Sequence, residues 1–120
     1  MTKFIVAVVE DIFFASKIRE TAQSLGVRAT FAKTTDQLTA ALEEKPDLIV
    51  VDLHNRKLDP LQVAEIKKGR DDLTGVSLLG FFSHVETDLQ RQALASGFDR
   101  VVPRSVFSRD LANILQGVDL

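Results

Sequence analysis

Glu10, Asp11, Asp52, Ser83 and Arg104 share one kind of position in this sequence. Each stands at or just beyond the carboxyl end of a short apolar run, at residues 3–9, 48–51, 76–82 and 99–102. Continuous runs of that length, rich in β-branched residues, read as strands buried on both faces. A buried strand has no structural need for a carboxylate at its end. In open α/β sheets the ligand crevice lies outside the carboxyl ends of the strands. Three carboxylates, a hydroxyl and a cation are therefore expected at one sheet edge. Carboxylates that share a site repel, and the pKa of at least one rises. A hard divalent cation relieves that cost, and magnesium prefers few carboxylates, some water and phosphate oxygens. A carboxylate beside magnesium can attack a phosphoryl group to give an aspartyl-phosphate. The metal and a nearby cation would offset charge on the phosphoryl oxygens. Each residue also has a plainer reading: a loop acid for Asp52, an N-cap for Asp11, a turn for Ser83 and a solvated arginine for Arg104.

The segments between these runs have helical spacing. Residues 12–25 carry apolar side chains at 12, 14, 15, 18, 22 and 25, and Gly26 follows as a C-cap. Residues 27–32 alternate apolar and polar, as in a strand with one exposed face or at a sheet edge. Thr34 and Gln37 form a capping box for a helix with Leu38, Ala41 and Leu42 inward, ending before Pro46. Residues 55–59 are a polar loop, and Pro60 opens a helix with Leu61, Ala64 and Ile66 inward. Thr87 and Gln90 read as a second capping box for a helix through Ser96. Pro103, Arg104 and Ser105 read as a loop, with Ser108 capping the last helix. The strict alternation of five strands with five helices predicts a doubly wound α/β fold, with a parallel sheet covered on both faces.

Composition narrows the class. At 120 residues and 45% hydrophobic content, the chain can bury the core of one domain spanning 1–120. The formal charge of -2 gives no footprint for nucleic acid or a membrane surface. The absence of cysteine excludes disulfides, thiolate catalysis and cysteine metal sites. No apolar run approaches the ~18 residues of a membrane span, and no signal peptide or linker is recognisable. A cytoplasmic location follows as the expectation. Neither G-x-G-x-x-G nor a phosphate-binding loop is present.

The sequence resembles the receiver domain of two-component response regulators, of which the chemotaxis response regulator is the single-domain example. The resemblance rests on Val8-Val9-Glu10-Asp11, on Val50-Val51-Asp52, on Asp59 seven residues beyond Asp52, on Ser83 and on Gly97-Phe98-Asp99. It covers essentially the whole chain. It implies a flavodoxin-like (βα)5 fold of strand order 2-1-3-4-5. It also implies phosphorylation of Asp52 by a histidine kinase or phosphotransfer protein, with the chain a phosphoacceptor rather than a turnover enzyme. Magnesium would be held by Asp11, Asp52 and the backbone carbonyl of His54, with Glu10 acting largely through water. Ser83 would supply the switch hydroxyl. The fourth helix, fifth strand and fifth helix would signal to a downstream protein, and the pattern leaves room for a homodimer.

The chain departs from the family where Arg104-Ser105 replaces the family's Lys-Pro. Arginine is planar and bidentate, unlike a point-charge lysine, and its bond to Ser105 should be trans. Val101 replaces the aromatic switch partner, Asn55-Arg56 an apolar residue and a proline, and His84 a small residue. These departures keep a second reading open: a pseudo-receiver that binds a partner without phosphorylation, in which Arg104 or Arg56 neutralises Asp52. A small flavodoxin-like enzyme stands in reserve. His54 and His84 are not expected to form a zinc site. In the pairs Phe13-Phe14 and Phe81-Phe82, one ring of each is expected in the core, with the other available to a partner.

Overall fold

A computed structural model describes residues 3–83 and 87–117. Strands β1 (Phe4–Val8), β2 (Arg28–Phe31), β3 (Leu48–Asp52), β4 (Ser77–Phe82) and β5 (Arg100–Pro103) pair in parallel, in the order β2-β1-β3-β4-β5. The doubly wound fold and its strand order are as expected. β2 sits at the edge, and its residues alternate between exposed and half-buried, as its polar alternation requires.

The helices α1 (Ile12–Leu25), α2 (Thr35–Leu42), α3 (Pro60–Lys68), α4 (Thr87–Ser96), α5 (Arg104–Arg109) and α6 (Leu111–Leu115) cover the sheet, with a 3-10 turn at Asp71–Leu73. Successive strand residues face opposite sides, so one sheet serves two cores. Ile5, Ala7, Val50, Leu79 and Phe81 pack with Phe14, Ile18 and Ala22 of α1 and with Phe107, Leu111 and Ile114 of α5 and α6. Val6, Val8, Ile49, Val51 and Phe82 pack with Leu38, Leu42, Val63, Ala64 and Ala93 of α2, α3 and α4.

Local chemistry fixes the helix ends. Asp11 caps α1, and Gly26 closes it at φ 72°, a left-handed conformation that a Cβ disfavours. The Thr34 side chain accepts from Gln37 N at 3.1 Å, while Gln37 Oε1 accepts from Lys33 N at 2.8 Å. Asp59 caps α3, and Pro60 takes its first position.

Several expectations need correction. Residues 103–105 are not a loop: Pro103 completes β5 at φ −64° and Arg104 is the first residue of α5. Ser108 lies inside α5 and bonds Lys17 Nζ instead of capping a helix. The final helix is divided at Asp110, where φ is −104° and ψ 15°. In the third helix Val63 and Ala64 are the buried side chains beside Pro60, whereas Leu61 and Ile66 are only half-buried. The Phe pairs also differ. Phe14 is core and Phe13 exposed as expected, but Phe81 and Phe82 are both buried because β4 is covered on each face. Thr87 is already the first helical residue of α4, and the residues that precede it lie outside the described ones. No peptide bond among the described residues is cis, in keeping with a trans Arg104-Ser105 bond.

Candidate phosphoacceptor site

The ladder between β3 and β4 runs to Asp52, which pairs with Phe81. Leu53 N then donates to the Phe81 carbonyl at 3.0 Å. This register delivers the Asp52 carboxylate to the carboxyl edge with only 2% of the residue exposed. Burial raises its pKa. The His54 backbone N–H opposes that shift, donating to Asp52 Oδ1 at 2.9 Å. The Arg104 charge also stabilises the ionised carboxylate, and Asp11 repels it. The loop after β3 folds on itself: Asn55 N donates to the Asp52 carbonyl at 3.0 Å, and buried Asn55 Oδ1 accepts from Lys57 N at 2.9 Å and Leu58 N at 3.1 Å.

Asp11 has two duties. Its Oδ1 accepts from Phe13 N at 2.8 Å and Phe14 N at 3.3 Å, and its Oδ2 lies 3.8 Å from Arg104 Nη2. The cap and the charged site therefore share one carboxylate. Arg104 reaches this point because α5 starts without a loop. Its guanidinium lies over the Phe14 ring, 5.3 Å from the centroid, and Phe14 belongs to a cluster with Phe81 and Phe107. Arg104 Nε is buried with no hydrogen-bond partner among the described residues.

The strand-end acids divide into a close set and an outlier. Asp11, Asp52 and Arg104 act on one another, while exposed Glu10 turns to the neighbouring loop and accepts from Arg56 N at 2.9 Å. Among the described residues no group of three or more acidic, histidine or cysteine side chains is gathered to hold a metal. The hard oxygen donors that the structure brings together are the two carboxylates of Asp11 and Asp52. The Arg56 side chain makes no ion pair among the described residues. Ser83 follows β4, and its backbone N–H donates to His54 Nε2 at 3.0 Å. Sequence reasoning missed this role for the His54 side chain, since no local pattern fixes where that ring points. His84 lies outside the described residues.

A cleft of about 160 Å³, lined by Glu10, Ile12, Lys33, Asn55 and Lys57, borders the site. A larger cavity of about 230 Å³, lined by Leu48, Ser77, Asp99 and Arg100, lies at the opposite sheet edge, away from these acids.

No family model matches the chain. It is 30% identical over 102 residues to the response regulator protein VraR of Staphylococcus epidermidis, an alignment covering 84% of this chain and 47% of that protein. The chain thus spans about half the length of the curated relatives it matches. The structure is similar to the chemotaxis response regulator CheY4 of Vibrio cholerae (TM-score 0.83, 16% identity, 99% of this chain and 100% of that one). It is also similar to the receiver domain of a sensor histidine kinase from Pseudomonas aeruginosa, which has magnesium coordinated in its active site cleft (TM-score 0.81, 19% identity, 98% and 97% covered). A phosphorylated cyanobacterial phytochrome response regulator is a third similar structure (TM-score 0.78, 18% identity, 98% and 91% covered). The fold is that of the response-regulator receiver domain.

Proposed function

We propose that this receiver-fold domain is the phosphoacceptor of a two-component phosphorelay and that Asp52 is the residue phosphorylated. One observation carries the reading: a carboxylate with no structural duty to the strand is held buried at the sheet's carboxyl edge, between an acid and an arginine. Oδ1 is engaged by His54 N, so Oδ2 is the attacking oxygen. It forms a bond to phosphorus as the bond from phosphorus to the donor's nitrogen or oxygen breaks, and that electron pair leaves with the donor. The chain is consumed as an acceptor and regenerated by hydrolysis, not used as a turnover enzyme.

The donor set suits magnesium. Asp11 and Asp52 repel each other, and the His54 carbonyl accepts no hydrogen bond from a described residue. Two carboxylates and a carbonyl, completed by water, are what this ion takes. Asp11, Asp52 and that carbonyl would hold it, with Glu10 reached only through water. When bound, the ion draws charge from the phosphoryl oxygens. Arg104 takes the lysine's part. Its unpartnered Nε is a donor suited to a phosphoryl oxygen, and a planar guanidinium binds such oxygens bidentately. Ser83 would give its hydroxyl to the same group. The phosphoryl donor would be a histidine kinase or phosphotransfer protein in the cytoplasm. Readout would use the α4, β5 and α5 face, where Leu94 is exposed.

Phosphorus NMR tests the reading. After incubation with magnesium and acetyl phosphate, the protein should show an acyl-phosphate resonance that hydroxylamine discharges. A folded protein with no such resonance would return the chain to the alternative of a phosphorylation-independent interaction module.

A further inference from the structure

The β3–β4 ladder ends where Leu53 N donates to the Phe81 carbonyl. Beyond it, the backbone N–H of Ser83 is met by the imidazole of His54 at 3.0 Å. The same residue donates its own N–H to Asp52 Oδ1 at 2.9 Å. We propose that the His54 side chain is a positioning residue that ties Ser83 to the Asp52 loop, so that one residue touches both the acceptor carboxylate and the segment bearing the hydroxyl. The consequence for phosphorylation rests on the function proposed above, whereas the tether itself does not.

The chemistry limits what can occupy position 54. Nε2 accepts a hydrogen bond when the ring proton is on Nδ1. A ring fixed at one end by its backbone bond to Asp52 and at the other by Ser83 has little rotamer freedom left. Leucine fills similar space but has no acceptor. Glutamine presents a carbonyl oxygen at comparable reach. Without the tether, the Ser83 N–H has no partner among the described residues, and a half-buried amide without a partner is costly. The peptide then reorients toward water and carries the hydroxyl out of register with Asp52.

Amide hydrogen exchange by NMR on wild type, His54→Leu and His54→Gln tests this. The Ser83 amide should exchange on the order of fivefold faster or more in His54→Leu, the effect of losing one ordinary hydrogen bond, and return toward wild type in His54→Gln. The Val50 amide, deep in β3, should be unchanged in all three, which shows that each variant is folded. Equal Ser83 exchange in wild type and His54→Leu would overturn the tether, as would equal acceleration in both variants. Acetyl phosphate labelling of the same samples separates the two ideas. A wild type that takes no phosphoryl group sinks the proposed function while the exchange comparison still decides the tether.

Discussion

Asp52 combines burial with charge, and the two act against each other. Because burial raises its pKa above the value in an unfolded chain, the native state binds a proton more readily than the unfolded state in the window between the two values. Stability therefore falls as pH rises through that window, from the unfolded value toward the raised native one. An asparagine at this position would keep the acceptor for His54 N without the charge. Asp52→Asn should accordingly raise the thermal midpoint at pH 7, with the gain shrinking as the pH falls into the carboxylate range. A midpoint that drops at pH 7 would mean that attraction to Arg104 outweighs the cost of burial. Arg104 poses the converse question. Its pair with Asp11 is long and partly exposed, so Arg104→Ala should cost under about 1 kcal/mol of stability. The cation beside a phosphoryl group matters far more, and the same variant should slow labelling by about tenfold or more. Stopped-time labelling alongside thermal melts separates the two effects.

At the scale of elements, the site depends on how closely strands and loops approach. Gly80 in β4 is a case of packing rather than backbone freedom. A Cβ there would lie 2.9 Å from Leu53 Cδ2 and 3.1 Å from Phe98 Cδ2, below ordinary contact. Gly80→Ala should destabilise by about 1–3 kcal/mol, measured by chemical denaturation, and an unchanged midpoint would show that Leu53 yields freely. The strands, the caps at Asp11 and Thr34 and the half-exposed character of β2 were legible in the sequence because each has a local cause: an apolar run, a capping side chain, an alternating face. The strand order has no local cause and was expected only from the resemblance to receiver domains. The start of α5 was not legible, because Pro103 suits a loop as well as a strand end. Nor was the break at Asp110, which no glycine or proline marks. Acids mislead in the same way. Asp47 Oδ2 accepts from Phe4 N and Asp99 Oδ2 from Leu78 N, each at 2.8 Å, so those two carboxylates staple strand starts. Only the end of the strand at which an acid stands separates that structural duty from the position of Asp52. That Asp11, Asp52 and Arg104 meet at one sheet edge was legible from their places at strand ends. The outward turn of Glu10 and the ring of His54 were not, since both follow from side-chain rotamers.

For the whole molecule, the two cores make one sheet rigid from both sides, and the strand ends present their residues from that frame. No helix among the described residues is long and apolar enough to cross a membrane. A ligand that binds only the folded chain raises its stability by mass action. Magnesium at ten times its dissociation constant should add about 1.4 kcal/mol, seen as a rising melting midpoint in wild type and a flat one in Asp11→Asn. A midpoint that rises equally in both would place the ion elsewhere. The account as a whole turns on whether Asp52 takes a phosphoryl group. The most direct measurement is intact mass after incubation with magnesium and acetyl phosphate, for wild type and Asp52→Asn side by side. The gain of a single phosphoryl group in wild type and none in the variant is the predicted result. No gain in folded wild type, or the same gain in both proteins, would contradict it.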